Sequence, residues 1–61
     1  MTIHLVSTWH NIDHAHTRLF NVGNYCYELQ DADGKVIFEW NNYTYEQVRS
    51  DMLDMGYNQK W

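Results

Sequence analysis

Sixty-one residues with eight Asp and Glu, four Lys and Arg and a formal charge of −4 describe one acidic domain spanning 1–61. A chain this short buries only about 60% of its unfolded surface, too little for a roomy catalytic cleft in a monomer. Its scattered cations, Arg18, Lys35, Arg49 and Lys60, disfavour direct nucleic-acid binding, which needs clustered charge to displace phosphate counterions, and its single cysteine, Cys26, excludes an internal disulfide.

The first strand is expected over 2–9, with Ile3, Leu5 and Trp9 on one side and His4, Val6 and Thr8 on the other. Residues 11–22 carry two patterns. Ile12, Ala15, His16, Leu19 and Phe20 follow helical spacing with Asn11 as a cap, whereas Arg18, Phe20 and Val22 alternate with Leu19 and Asn21 as in a strand. The strand is the preferred reading, with Gly23 marking a bulge or bend; the helix gives the alternative order β-α-β-β-α.

A hairpin follows over 24–30 and 35–41, closed by Asp31-Ala32-Asp33-Gly34, whose glycine suits a left-handed turn position. Gln30 opposite Lys35 sets Leu29 against Val36, Tyr27 against Phe38 and Tyr25 against Trp40, three apolar pairs on one face. The other face then carries Cys26, Glu28, Ile37, Glu39 and Asn41. Thr44 and Gln47 form a capping box, with Tyr43 placed to staple onto Val48. Gly56 stands at the left-handed stop, and Tyr57 is placed to touch Met52 in a Schellman motif. Tyr45, Val48, Met52 and Met55 make the apolar stripe, widened by Leu53. The expected architecture is α+β: a small antiparallel β-sheet of three or four strands with one C-terminal helix packed on one face.

Chemistry-bearing groups are sparse. His10, His14 and His16 share no face of a helix or a strand, so with Cys26 they form only a weak alternative metal set. The Asp31–Gly34 turn fails as an EF-hand, because Leu29 and Trp40 fall where carboxylates belong. Cys26 with His16 lacks the setting of an activated thiol. Glu28 and Glu39, on a diagonal in this register, lack a cleft for acid–base work. Asn42-Tyr43-Thr44 reads as the approach to the helix rather than as a glycosylation site. No catalytic set and no cofactor are expected.

Ten aromatic residues are too many for one small core: Trp9, Tyr27, Phe38 and Trp40 are assigned to it, and Tyr25, Tyr43, Tyr57 and Trp61 are harder to bury. The expectation is a stand-alone binding protein, a phage-type inhibitor or modulator of a larger enzyme or nucleoprotein. Tyr43, Glu46, Asp51, Asp54, Tyr57 and Trp61 would dock on the basic surface of that partner. A small metal-binding protein and a self-assembling subunit such as a homodimer are the alternatives. Without a basic-then-apolar leader or ~20 apolar residues in a row, a cytoplasmic location without membrane contact is expected.

Overall fold

The computed structural model describes residues 3–60. Along the chain come β1 (His4–His10), β2 (Thr17–Gly23), β3 (Cys26–Gln30), β4 (Val36–Asn41), α1 (Tyr45–Asp54) and β5 (Asn58–Lys60). The strands form one antiparallel sheet in the order β4-β3-β2-β1-β5. The fold is α+β as expected, but the sheet has five strands rather than three or four, and the helix is followed by a strand. Asn58-Gln59-Lys60 has no strand-favouring side chain; it pairs through its backbone with the free edge of β1. Among the described residues no helix is long and apolar enough to cross a membrane.

Residues 11–22 are not helical. Asn11 does cap a turn, its Oδ1 accepting from the backbone N–H of Asp13 at 3.0 Å and of His14 at 2.6 Å. The helix does not propagate beyond that turn, and the chain enters β2 at Thr17, whose hydroxyl donates to the Trp9 carbonyl at 2.8 Å.

A bulge in β1 overturns the expected face of that strand. Leu5 pairs with Phe20 and Ser7 with Leu19, leaving Val6 unopposed, and an extra residue reverses the side-chain alternation on either side of it. Trp9 therefore enters the core while Ile3 and Leu5 point away from it, Leu5 being 53% exposed. Thr2, where the strand was expected to begin, lies outside the described residues.

The β3–β4 register differs by two residues from the expected one. Tyr27 faces Trp40 and Leu29 faces Phe38, and Ile37 then bulges so that Gln30 faces Val36. A two-residue slip preserves parity, so Tyr27, Leu29, Phe38 and Trp40 still share a face. The bulge turns Ile37 onto the core and leaves Val36 exposed. Glu28 and Glu39, expected on a diagonal, stand directly opposite each other. Tyr25 is in no strand; it occupies the two-residue turn between Gly23 and Cys26.

The capping box and the Schellman stop are both as expected, while Tyr43, expected to staple onto Val48, is exposed. Thr44 Oγ1 accepts from the Gln47 N–H at 3.3 Å while Gln47 Oε1 accepts from the Thr44 N–H at 2.9 Å. At the far end the Tyr57 N–H donates to the Met52 carbonyl and the Gly56 N–H to the Leu53 carbonyl, each at 3.0 Å, with Gly56 at φ +88, the bond pattern of a Schellman stop. Val48 and Met52 carry the helix onto Trp9, Leu19, Leu29, Trp40 and Tyr57. Phe38, expected in this core, is exposed at the edge strand.

Strand directions divide the domain into two ends. The start of β1, the β2–β3 turn, the end of β4 and the start of α1 share one, here the tyrosine end. The 11–16 loop, the β3–β4 turn and the exit from the helix share the other, the histidine end. One sheet face lies under α1; the opposite face is open.

Candidate partner-binding surface

Two of the residues expected to dock a partner, Asp51 and Tyr57, are drawn into the fold. Tyr43 and Glu46 are exposed at the tyrosine end, whereas Asp54 is exposed near the helix exit, about 12 Å further along the helix axis at 1.5 Å per residue. Asp51 is partly buried, and its Oδ2 accepts from the indole N–H of Trp40 at 3.1 Å. It holds a core tryptophan instead of presenting a free charge. Tyr57 is only 4% exposed, because the Schellman stop folds the residue after its glycine back onto the helix. Burial raises the Tyr57 phenol above its ordinary value, the Asp13 charge adds to the rise, and a hydrogen bond with the Asn11 side chain opposes it. Trp61 lies outside the described residues.

The weak metal set is not assembled either. His10 ends β1, His14 and His16 lie in the following loop, and Cys26 opens β3 at the other end of the sheet. Among the described residues no three His, Cys, Asp or Glu side chains converge to hold a metal ion. The Cys26 thiol donates to the Asn24 carbonyl at 3.3 Å inside its own turn.

What the structure does bring together is at the tyrosine end. Tyr25 is 60% exposed and has φ 58, while Asn42 has φ 64; these are the only non-glycine residues with positive φ among the described residues. Asparagine tolerates the left-handed region; a tyrosine there is strained. The Tyr43 N–H donates to the Tyr25 carbonyl at 3.0 Å, so the strained turn and the approach to the helix are tied together with both rings outward. Ile3 and Leu5, turned away from the core by the β1 bulge, and Val6, the bulged residue itself, are exposed at the same end. Half of the ten exposed large apolar side chains among the described residues thus lie at this end of the domain, a bias that scattered single residues would not show.

Aromatic surplus was a signal visible in the sequence, and it pointed correctly to Tyr25 and Tyr43 as hard to bury and wrongly to Tyr57, which is in the core. Nothing visible there left Ile3 and Leu5 exposed at the same end, because that depends on the bulge. Comparison of the chain with known protein families, curated proteins and solved structures finds no match in any of the three.

Proposed function

We propose that the chain is a small protein-binding module that engages its partner with the tyrosine end. The observation that supports this reading is the strained Tyr25 turn, which is tied by a hydrogen bond to Tyr43 at the end of the domain where Ile3, Leu5 and Val6 are also exposed. Strain in a domain with a thin stability margin is costly, and a surface function is a reason for such a conformation to persist. Tyrosines on short, hydrogen-bonded turns offer large contact area with little ordering cost. The net charge of −4 suits a partner with a basic surface, Glu46 beside the rings acting at the rim. The mode of action proposed is inhibition or modulation of a larger enzyme or nucleoprotein in the cytoplasm, without catalysis by this chain.

The test is site-specific photo-crosslinking in the native host from a photoreactive residue at position 25, at 43 or at Ile12. Ile12, fully exposed at the opposite end, is the control. A discrete product from positions 25 and 43 and none from 12 supports the surface. Products from 12 alone, or from none, sink it.

Self-association is a second reading, favoured by β4, an edge strand with Val36 and Phe38 exposed and no proline. Sedimentation of the purified chain separates the two, since a monomer leaves only the heterologous partner.

A further inference from the structure

The open sheet face carries a second organised feature, at the histidine end, with charge of the opposite sign to the chain as a whole. An open cavity of about 370 Å³ is lined by Thr8, His16, Thr17, Arg18, Ala32 and Lys60. The sheet itself builds it: Thr8 on β1 is opposite Arg18 on β2 and opposite Lys60 on β5. Directly paired residues face the same way, so two cations flank one hydroxyl, their backbones roughly 10 Å apart across two strand spacings. Lys60 Nζ lies 2.7 Å from Nδ1 of His16, the ammonium donating to the imidazole, which positions Lys60 at the rim.

Half of the chain's four Lys and Arg residues thus line one cavity, and among the described residues no carboxylate lines it. An adjoining cavity, which shares His16 and Ala32 with this one, is bordered by Asp13, Asp31 and Asp33. Asp31 is turned into its own hairpin, Oδ1 accepting from the N–H groups of Asp33 and Lys35 at 2.9 Å each. Glu28, on the open face, accepts from the Gln30 amide at 2.8 Å.

We propose that this cavity binds the phosphate group of a small phosphomonoester. A guanidinium presents a planar fork to two oxygens, an ammonium gives a point charge, and a threonine hydroxyl donates from the floor. A phosphate dianion offers three strong acceptor oxygens to such a set. The volume exceeds that of the phosphate group alone and falls at the low end of ligand pockets, leaving room for a short organic group against Ala32 and Thr17. The site differs from duplex recognition, which needs a row of cations along a backbone.

Amide chemical-shift titration of the whole chain with inorganic phosphate, with glycerol phosphate and with sodium chloride at matched ionic strength tests the site. The expected result is saturable shifts at Thr8, His16, Thr17, Arg18 and Lys60, tighter for glycerol phosphate than for inorganic phosphate and absent with chloride. Arg18→Gln and Lys60→Met should each weaken binding about tenfold or more, the factor carried by a hydrogen bond to a charged group. Neither side chain contributes to the core, so shifts elsewhere should stay in place. Non-saturating shifts, equal shifts with chloride, or affinity unchanged in both variants overturns the site. Glycerol phosphate binding no more tightly than inorganic phosphate overturns the ester.

Discussion

Gly56 allows backbone conformation to be separated from space. Its φ is +88, and a Cβ built on it meets nothing within 4 Å, so the whole effect of an added methyl is conformational. For an L-residue the left-handed region costs about 1–2 kcal/mol, and the loss of glycine's freedom in the unfolded chain offsets about 0.4–1 kcal/mol of that. Gly56→Ala should therefore destabilise by about 1 kcal/mol, close to 1 M in urea midpoint for a small domain. The D-alanine variant, accessible by chemical synthesis of a 61-residue chain, keeps the entropic gain without the strain. It should raise the midpoint by about half as much. Fluorescence of buried Trp9 and Trp40 follows both transitions. An L-alanine variant with the wild-type midpoint, or a D-alanine variant that falls with it, refutes the left-handed stop.

Asp51→Ala leaves the Trp40 indole N–H without its acceptor and should cost about 1–3 kcal/mol in urea unfolding; Asp51→Asn keeps an acceptor and should recover most of it, and no loss in either variant would return Asp51 to the free surface. Glu28 and Glu39 face each other, so Glu39→Lys should stabilise by about 0.2–1 kcal/mol. That gain should shrink in molar salt as the charges are screened, and a gain independent of salt would contradict its electrostatic origin. Because the Tyr57 phenol is raised above 10.0 in the folded chain, first by burial, the native state holds its proton longer than the unfolded one. Its contribution to stability is whole below about pH 10 and lost as pH rises through the raised value. Unfolding measured from neutral pH upward should show a shallower alkaline decline in Tyr57→Phe than in the parent, and identical slopes would remove the phenol from the linkage.

Local chemistry was legible, and long-range pairing was not. Thr44 with Gln47, and Gly56 with Tyr57, announce the helix ends because the interactions span only a few residues. The hairpin register was legible only to parity, since Tyr27, Leu29, Phe38 and Trp40 share a face in either of two registers a pair apart. The bulges at Val6 and Ile37 leave no residue signature, and each reverses the facing of its neighbours: Ile3 and Leu5 left the core and Ile37 joined it. β5 was invisible because an edge strand can be held by backbone bonds alone, and the pairing that sets Lys60 beside Arg18 was hidden with it. The burial of Tyr57 and the bond from Trp40 to Asp51 did have sequence signals. The residue after a Schellman glycine packs on the helix, and a buried indole needs an acceptor.

The two ends of the domain share the β1–β2 ladder but are otherwise built from different contacts. The tyrosine end depends on the turn at Tyr25 and its hydrogen bond to Tyr43, which involve neither β5 nor the 11–16 loop. The cation cavity depends on the pairing of β1 with β2 and β5 and involves neither tyrosine. Each holds an arrangement that stands out in this chain: a left-handed aromatic residue at one end and, in an acidic protein, two cations flanking one hydroxyl at the other. Natural sequences keep local and global preferences consistent, and exceptions concentrate at functional sites. Lengthwise along the strands lie roughly 20 Å between the two ends, too far for one small ligand to span and short enough for a protein partner to cover both. A partner crosslinked at Tyr25 whose affinity also changes with phosphomonoester, and loses that response in Arg18→Gln, would make the cavity a regulatory site on a binding module; an affinity indifferent to the ligand would leave two unconnected surfaces on one fold.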